Sequence, residues 1–431
     1  MIDIIANLDS HDEFNNKLNK SILTLSDRIL AVVYLDIKYF KYFNDTYGYE
    51  QGDKLLYRMT DCIKRHTKNL VGVTRVVSDN IVVILELPNV PSDEIYTILS
   101  GQCSLLEDTL RHEFSCSRIR IAAGAYLVHD DDKCIDAETI ISNANLARKK
   151  AKEAGSVSLV FFKQEMAESL KEEFEIISSI DGALENHEIK AFYQPKVDSR
   201  TGRIIGSEAL VRWETADGHF IYPDQFIPAI EKSRQIIQVD YYMYDEVFKF
   251  LRKRMDSGEK LVAVSMNVSR QHMEDLDIID YIQALQDKYQ IPPEYLEFEL
   301  TETVCMEDTD NAIKFIDAFH RMGMKVSMDD FGSGYSSLNL LSELPLDVIK
   351  LDRCFLHSND PKSKERIVIS HIISMAKDLD VQSLCEGVET EKQSDFLTEI
   401  GCDVQQGYFF SRPIPLTEFE DVLNRELKDA C

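Results

Sequence analysis

From about residue 190 onward, the sequence alternates short apolar runs, which predict β-strands, with longer segments that have helical spacing. Eight strand-like runs follow in this order: AFYQPKV, IIGSEALVRW, LVAVSMNVS, YLEFELTE, MKVSMDDFG, DVIKLD, VQSLCEGVE and DVQQGYFF. Eight strands with helices between most of them, over roughly 250 residues, match the length and strand count of a (β/α) barrel. The second part of the chain is therefore predicted to be a TIM-type barrel, in which functional residues lie at the C-terminal ends of strands.

Polar side chains recur at or just beyond the ends of these predicted strands. They are Glu208, Asn267, Glu299, Asp329, Asp330, Lys350, Glu386 and Glu389. Because one strand and one helix separate most neighbours in this set, a closed barrel would bring them to one rim. Oxygen ligands without histidine or cysteine suit Mg²⁺ or Mn²⁺ rather than Zn²⁺. The adjacent pair Asp329 and Asp330 suits two ions, and two ions roughly 3.5–4 Å apart promote in-line displacement at phosphorus.

These residues alone leave two classes of enzyme open. A metal-dependent phosphodiesterase or phosphatase fits the set, and so does a barrel lyase or an enolase-like enzyme that uses Mg²⁺. Lys350 fits both classes, because a lysine beside carboxylates can polarise water or act as a base. A lone acid at a strand end is usually a helix cap or a solvated loop residue, so the functional argument rests on the whole set.

The first part of the chain has a different pattern. Between residues 28 and 163, the order is RILAVVYLDI, a helix that begins near Gln51, TRVVSDNIVVILEL, a helix, RIRIAAGAYLV, a helix and VSLVFF. This order predicts an α/β sandwich. Apolar residues at helical spacing from Gln164 to His187 predict an amphipathic connecting helix. We expect an N-terminal α/β domain over residues 1–163, a linker helix over 164–180 and the barrel over 181–431.

Charge and cysteine content limit the partners and the compartment. The formal net charge is −27, so the field of the protein repels nucleic-acid polymers and anionic membrane surfaces, but not a small phosphate ligand held through a metal. Nine cysteines without paired spacing argue against a disulfide framework. No basic region followed by an apolar run begins the sequence, and no apolar stretch reaches the ~18–20 residues of a membrane span. The sequence predicts a cytoplasmic protein.

The motifs of the second part resemble a known family. The run FYQPKVDSRTGRIIGSEALVRW, from Phe192 to Trp213, is similar to the opening signature of the EAL family of cyclic di-GMP phosphodiesterases. The segments SMNVS, FELTE, DDFGSGYSSL, PLDVIKLDRCF, CEGVETEKQ and CDVQQGYFFSRPIP resemble the remaining family motifs in order. The resemblance implies a barrel that hydrolyses one phosphodiester of cyclic di-GMP to linear pGpG and requires two Mg²⁺ or Mn²⁺ ions.

The resemblance also implies catalytic and metal-binding roles. By similarity, one metal ion would be held by Glu208, Asn267, Glu299 and Asp329. Asp330 would help to hold the second ion, with Glu386 alongside. Lys350 would orient the attacking water, and Glu386 is the candidate general base.

Further positions match residues that bind the ligand or support the site. Gln194, Arg212 and Gln406 match ligand contacts, and the planar guanidinium of Arg212 suits a phosphate because it can bind two oxygens at once. Glu302 resembles the glutamate that anchors the loop DDFGSGYSS, whose glycines allow tight turns beside the metals.

The first part of the chain resembles a second family. The segment YLDIKYFKYFNDTYGYEQGDKLL, from Tyr34 to Leu56, is similar to the GGDEF family of diguanylate cyclases. That resemblance implies a palm-like α/β fold that uses two metals to join two GTP molecules. Asp36 matches a metal ligand, and Asn44 and Asp53 match the pair that recognises guanine.

The catalytic signature of that family is altered here. Val77 and Ser78 replace its two glycines, and Asn80 replaces its metal-binding glutamate. An amide at Asn80 removes one negative charge from a site that must gather Mg²⁺ around triphosphate. Val77 is expected to disfavour the conformations of a glycine turn, because it is β-branched.

Two other positions point the same way. Lys152 is retained at a phosphate-binding position, but Ser156 stands where an arginine is usual. The segment Lys68–Val71 lacks the aspartate of the inhibitory RxxD motif. We expect no cyclase activity and no product inhibition.

Three hypotheses for the whole chain follow. The first is an active cyclic di-GMP phosphodiesterase, the second is a catalytically silent cyclic di-GMP receptor that acts through a protein partner, and the third is a bifunctional enzyme, which the altered signature disfavours. The first domain is either a structural spacer that supports a homodimer or a GTP sensor that binds nucleotide through Asp36, Asn44 and Asp53.

Overall fold

The fold is described from a computed structural model that covers residues 8–25, 28–129, 132, 134–155, 158–274, 276–332, 338–356 and 363–429. The chain divides into two compact units, Met1–Glu172 and Glu173–Cys431. The division falls within one helix, Gln164–Glu185, which continues beyond the predicted linker end at residue 180 because Ile180 and Ala183 are buried in the core of the second unit. Among the helices in these residues, none is long and apolar enough to cross a membrane.

The first unit is built on one five-stranded sheet. Its elements are α1 (His11–Leu23), β1 (Arg28–Ile37), α2 (Phe40–Tyr47), α3 (Tyr49–His66), β2 (Leu70–Arg75), β3 (Ile81–Pro88), α4 (Ser92–Glu113), β4 (Ile121–Val128), α5 (Ala137–Glu153) and β5 (Leu159–Phe161), followed by α6 (Gln164–Glu185). The strand order is β2-β3-β1-β4-β5, and only the β4–β5 pair is parallel. Alternate residues of β1 enter two separate apolar clusters, so the strand is buried on both faces.

The sandwich prediction is confirmed, but the structure differs from it at one strand run and adds one helix that was not predicted. The run TRVVSDNIVVILEL forms two antiparallel strands joined by a turn rather than one strand. The helix expected near Gln51 begins at Tyr49 and is preceded by α2, and Gly48 separates the two helices with a φ of +87°.

The turn at the altered signature also differs from the prediction. The Val76 N–H donates to the carbonyl of Asn80, and the left-handed residue of this turn is Ser78, with φ +54°. Val77 has no positive φ and lies exposed. The β-branched side chain of Val77 is therefore no obstacle to the turn, and the expected conflict was wrong.

The second unit contains the remaining elements. They are β6 (Ile189–Asp198), β7 (Ile204–Glu214), β8 (Phe220–Ile221), α7 (Pro223–Lys232), α8 (Ile236–Asp256), β9 (Ala263–Asn267), α9 (Ile278–Tyr289), β10 (Leu296–Thr301), α10 (Glu302–Glu307), α11 (Thr309–Arg321), β11 (Lys325–Phe331), α12 (Leu338–Glu343), β12 (Val348–Leu351), α13 (Lys364–Asp378), β13 (Gln382–Cys385), α14 (Glu391–Glu399), β14 (Val404–Gln405), β15 (Ile414–Pro415) and α15 (Leu416–Asp429).

Eight of these strands close into a barrel, which confirms the predicted TIM-type architecture. The ring runs β6-β14-β13-β12-β11-β10-β9-β7 and closes through the β6–β7 pair. Seven strands are parallel, whereas β6 is antiparallel to both neighbours because a short turn, not a helix, joins it to β7. Alternating residues separate an apolar outer face, such as Phe298 and Leu300, from a polar inner face, such as Glu297 and Glu299.

Candidate active site

The centre of the barrel rim is a fully buried lysine surrounded by carboxylates. The side chain of Lys350, on β12, has 0% exposure. Its Nζ lies 2.5 Å from Glu299 Oε2, 2.7 Å from Glu386 Oε1, 3.0 Å from Asp329 Oδ1 and 3.4 Å from Glu208 Oε2. These acids come from four different strands or strand ends, so barrel closure brings together residues that are far apart in sequence.

The cluster carries more negative charge than its lysine can balance. Burial raises the pKa of Glu386 to about 8, although Lys350 opposes this shift. Burial and the neighbouring carboxylates also raise the pKa of Glu208 and of Asp329. Burial would raise the pKa of Glu299 as well, but Lys350 and Lys196 lower it to about 2. The site therefore favours binding of further cations.

Two groups of carboxylates have the spacing of metal ligands. One contains Glu208, Glu299 and Asp329, and the other contains Asp329, Asp330 and Glu386. Within each group, the candidate ligand atoms lie within 4.8 Å of one another, and Asp329 belongs to both. The Asn267 Nδ2 donates to Glu208 Oε1 at 3.0 Å, which places this amide beside the first group. Hard oxygen donors of this kind fit Mg²⁺ or Mn²⁺.

A backbone irregularity places both aspartates at the same site. Successive residues of a regular strand point to opposite faces. Here Asp330 has a φ of +58°, and the register of β11 against β12 shifts between Met328 and Phe331. The Asp330 N–H also donates to Asp329 Oδ1 at 2.9 Å. This departure from alternation lets Asp330 join the metal-ligand group instead of facing the outer layer.

Of the residues that match ligand contacts, Gln194 and Gln406 lie beside Glu208, and Arg212 lies farther along the same strand. Gln406 Nε2 donates to Glu208 Oε2 at 2.7 Å and to Gln194 Oε1 at 3.1 Å. Gln406 Oε1 is buried and has no hydrogen-bond partner among the described residues. Arg212 lies four residues after Glu208 on β7, so both side chains are on the same face of the strand. Partial burial lowers the pKa of Arg212, while Tyr408 and Glu208 oppose this shift.

Glu302 contacts the loop that it was expected to anchor. Thr301 caps α10 by accepting from the Val304 N–H, and this cap places Glu302 on the first turn of α10. Glu302 Oε2 accepts from the Gly332 N–H at 3.2 Å. Gly332 has a φ of +100°, and a Cβ there would lie 2.3 Å from the Phe355 ring, so this position requires glycine. Residues 333–337 of the loop lie outside the described residues.

The structure adds two site residues and removes one. Lys196 and Glu297 are buried inside the barrel and contact the cluster, although neither stands at a strand end. Their signal in the sequence is a spacing of two residues from Gln194 and Glu299, which puts each pair on one strand face. Glu389 is exposed, and its N–H donates to Gln393 at the start of α14, so it belongs to a helix cap.

In the first unit, the expected metal ligand Asp36 is already paired with cations. Asp36 is 3% exposed and forms an ion pair with Arg148, which is also buried. The Lys152 Nζ lies 2.9 Å from both carboxylate oxygens of Asp36. Burial and the nearby Asp36 raise the pKa of Asp79. Two basic side chains of the chain therefore occupy the position where a metal ion would neutralise Asp36.

The expected guanine pair has a separate location. The side chain of Asn44 packs against Gly52, where a Cβ would collide with its Oδ1. The neighbouring Asp53 is exposed and lines a cavity of about 680 Å³ with Glu50 and Tyr57. Asn44 and the segment that carries Asp53 are thus adjacent, whereas Asp36 contacts α5 instead. Ser156, which stands where an arginine is usual, lies outside the described residues.

Comparisons with known proteins agree with both halves of this arrangement. The profile of the EAL domain family matches residues 177–413, and the profile described as diguanylate cyclase, GGDEF domain, matches residues 1–158. These matches confirm the tandem order that the motifs predict.

Two curated relatives and one solved structure are similar over long stretches. Bifunctional diguanylate cyclase/cyclic di-GMP phosphodiesterase MucR of Pseudomonas aeruginosa is 32% identical over 391 residues, which are 90% of this chain and 56% of the relative. Cyclic di-GMP phosphodiesterase PdeR of Escherichia coli is 30% identical over 432 residues, covering 99% and 64% of the two chains. The structure described as PaMucR phosphodiesterase, c-di-GMP complex, has 33% identity and a TM-score of 0.54, and covers 57% of this chain and 99% of its own.

The chain spans 56% and 64% of the length of these two curated relatives. Its EAL match alone covers more than half of its residues, and it includes the strands that carry the carboxylate cluster. The chain therefore belongs to the EAL domain family, with a GGDEF domain preceding the EAL barrel.

Proposed function

We propose that the barrel hydrolyses cyclic di-GMP to linear pGpG and that it does so with two Mg²⁺ or Mn²⁺ ions. The observation that carries this proposal is the pair of carboxylate groups that share Asp329 around one buried ammonium. Its excess negative charge favours divalent cations, and the similar PaMucR phosphodiesterase was solved as a c-di-GMP complex. Acid clusters that serve only as helix caps do not converge on one buried lysine in this way.

We assign the first ion to Glu208, Asn267, Glu299 and Asp329, and the second to Asp329, Asp330 and Glu386. When bound, such ions stabilise negative charge that develops on phosphate oxygens and lower the pKa of water. Glu386 suits a general base, because its carboxylate belongs to the second ligand group and contacts Lys350, so it lies where a water activated by the ions would lose its proton. Lys350 lies 2.7 Å from Glu386, so the two side chains would flank and orient the attacking water.

We assign substrate contacts to three residues, of which Gln194 and Gln406 lie beside Glu208 and Arg212 lies farther along β7. The unpaired acceptor Gln406 Oε1 needs a donor, and the N–H groups of a guanine base or a sugar hydroxyl supply one. Gln194 lies against Gln406 and supports it. Arg212 offers a planar guanidinium to a phosphate of the ligand.

Product analysis with matched variants tests the proposal. Purified protein is incubated with cyclic di-GMP and Mn²⁺, with and without EDTA, and the nucleotides are separated by chromatography. Wild-type protein should release pGpG only when metal is present, and Glu208→Ala should release none. If the wild-type protein binds cyclic di-GMP but yields no pGpG, the enzyme proposal fails and the chain is a cyclic di-GMP receptor.

We also propose that the GGDEF unit is catalytically inactive and senses GTP. Asp36 is neutralised by Arg148 and Lys152, and Asn80 brings no negative charge, so metal binding there is disfavoured. Asp53, in contrast, lines a cavity of sufficient size for a nucleotide, about 680 Å³, and Asn44 packs against the adjacent Gly52. Incubation of a Glu208→Ala variant with GTP and Mg²⁺ tests the first claim, because any cyclic di-GMP formed would accumulate instead of being hydrolysed.

The setting that we propose is a cytoplasmic homodimer. The eight cysteines among the described residues are all free, which is the state of thiols in a reducing compartment. Sedimentation velocity with and without GTP and cyclic di-GMP measures the oligomeric state. A monomer under all these conditions would contradict the dimer.

A further inference from the structure

The first barrel strand carries a buried lysine that none of these roles uses. Lys196 lies two residues after Gln194 on the inner face of β6 and is 5% exposed. Its Nζ lies 3.0 Å from Glu297 Oε1 and 3.0 Å from Glu299 Oε1. Both glutamates belong to β10, which is not a neighbour of β6 in the barrel. The ammonium therefore joins strands across the barrel interior.

This contact fixes the orientation of Glu299. Lys196 binds its Oε1, whereas Lys350 binds its Oε2 at 2.5 Å, so each oxygen has an ammonium of its own. Rotation of the carboxylate would break two charge-assisted hydrogen bonds, which are stronger than bonds between neutral groups. Glu299 is at the same time one of the three acids in the first candidate metal group.

We propose that Lys196 is a positioning residue for metal binding, because it holds Glu299 in the orientation that presents the carboxylate to the ion. This inference rests on the metal site of the proposed function. Lys196 lies deeper in the barrel than Gln194, since β6 runs antiparallel to the strands that carry the carboxylates. It therefore acts through Glu299 and makes no contact with the substrate.

Two effects of Lys196 on metal affinity have opposite signs. Its positive charge repels a divalent cation, so removal of the charge alone would tighten metal binding. Its hydrogen bond holds a ligand in place, so removal of the bond would weaken metal binding. Glu297 lies as close to the ammonium as Glu299 does and offsets the charge of Lys196, which leaves positioning as the larger effect. Weaker metal binding after removal of Lys196 would thus indicate a positioning role, and tighter metal binding would indicate that the repulsion by its charge is the larger effect.

The variant pair Lys196→Met with Glu297→Gln isolates the positioning effect. It removes one charge of each sign, so no buried carboxylate loses its partner without compensation. Lys190→Met with Glu214→Gln is the matched control, because this exposed ion pair at 2.7 Å also starts on β6 but lies outside the barrel interior. Glu297→Gln alone keeps the bond from Lys196 to Glu299 but leaves the charge of Lys196 without its second carboxylate, so this variant measures the charge effect by itself.

Calorimetric titration of Mn²⁺ into the full chain gives the primary readout, with the thermal midpoint as the test of folding. We expect roughly tenfold weaker Mn²⁺ affinity for Lys196→Met with Glu297→Gln, as is typical when a residue that orients a metal ligand is lost. Lys190→Met with Glu214→Gln should keep wild-type affinity, whereas Glu297→Gln alone should lower it less than the double variant does, through the uncompensated charge of Lys196. Phosphodiesterase assays should show an unchanged KM for cyclic di-GMP at saturating Mn²⁺, with a higher Mn²⁺ concentration needed for half-maximal rate.

Unchanged or tighter Mn²⁺ binding by this pair would overturn the positioning role. If the pair fails to fold, Lys196→Gln with Glu297→Gln replaces it and makes the same prediction, because a glutamine chain is one bond too short to hold Glu299. A wild-type chain that binds no Mn²⁺ would instead refute the proposed metal site, so failure of the function and failure of this inference are distinguishable.

Discussion

The two candidate sites of this chain both place an aspartate at or near the end of a central strand, but they balance its charge in opposite ways. In the barrel, four carboxylates surround the ammonium of Lys350, and only Glu299 among them also contacts a second ammonium, that of Lys196. In the GGDEF unit, the single carboxylate of Asp36 contacts both Arg148 and Lys152. An excess of buried acid favours divalent cations, whereas an acid that is paired within the chain has little to gain from them. An aspartate at a strand end is therefore not a metal ligand by residue type alone. Whether it can bind a metal depends on how far neighbouring basic side chains already neutralise its charge.

The largest expected effect is on hydrolysis by the barrel. Because Asp329 belongs to both ligand groups, Asp329→Ala should lower the affinity of the barrel for both ions. We expect the turnover of cyclic di-GMP to fall by more than about 100-fold, because loss of a residue that only orients a metal ligand already costs roughly 10–100-fold. Glu386→Gln should reduce turnover by roughly 10²–10⁴-fold through loss of the base. Initial rates of pGpG formation measure both effects.

Glu214→Gln is the control for these barrel variants, since it removes an acid from the exposed end of β7. Its rate should match that of the wild-type protein. Wild-type turnover by Asp329→Ala would show that the shared carboxylate is not a metal ligand.

The next largest effect is on the stability of the GGDEF unit. Arg148→Met leaves Asp36 buried with only the partly exposed Lys152 as its partner, so we expect a loss near the lower end of the 3–5 kcal/mol that breaking a buried ion pair costs, about 3 kcal/mol. Arg148→Met combined with Asp36→Asn should cost less, because no charge is left unpaired. Urea denaturation measures these changes.

The two transitions can be separated because the only tryptophan, Trp213, lies in the barrel and reports its unfolding by fluorescence. Circular dichroism reports both units. If the circular dichroism transition of Arg148→Met equals that of the wild-type protein, the ion pair between Arg148 and Asp36 does not contribute to the stability of the GGDEF unit.

A smaller effect is the stabilisation of the barrel by metal. At a free Mn²⁺ concentration about 10 times the Kd of each site, two ions bound to the native state should together stabilise the barrel by about 2.8 kcal/mol, which is about 1.4 kcal/mol for each ion. The thermal midpoint of Trp213 fluorescence should rise accordingly, and the transition of the GGDEF unit should not move. The Asp329→Ala barrel should show no shift, and an equal shift in this variant would locate the ions elsewhere.

The smallest effect concerns regulation by GTP. If GTP binds near Asn44 and Asp53 and prefers one of two states of the protein, a tenfold change in phosphodiesterase activity requires about 1.4 kcal/mol of coupling. Calorimetric titration of GTP into wild-type and Asp53→Ala protein, together with rates at saturating GTP, measures binding and coupling. Absence of binding, or binding with unchanged rates, would reduce the GGDEF unit to a spacer.

The residues of the barrel rim can be predicted from the sequence because repeated βα units close into a barrel with the C-terminal ends of the parallel strands at one face. Ends of neighbouring parallel strands separated by one βα unit must meet, and Glu299 near the end of β10 and Asp329 near the end of β11 do so, whereas Glu208 reaches the same group from the middle of β7. Gln194 and Gln406, expected from motif resemblance alone, lie within hydrogen-bond distance of each other.

Other contacts have no local signal in the sequence. Arg148 reaches Asp36 across 112 positions of the chain, and Lys196 reaches Glu299 from a strand that is antiparallel to its neighbours. The turn between β2 and β3 lies inside one mostly apolar run, where Ser78 adopts the left-handed conformation without a glycine to mark it. Pairwise contacts over long separations and single backbone conformations are properties of the folded chain.

The most direct test of the account is a count of Mn²⁺ ions bound per chain, made by calorimetry and by elemental analysis after dialysis. The two ligand groups predict two ions in the wild-type chain and none retained by Asp329→Ala, which removes the carboxylate that the groups share. Asp36→Asn, which changes the aspartate already paired with Arg148 and Lys152, should leave the count unchanged. A wild-type chain without bound metal, or loss of an ion on Asp36→Asn, would contradict the account.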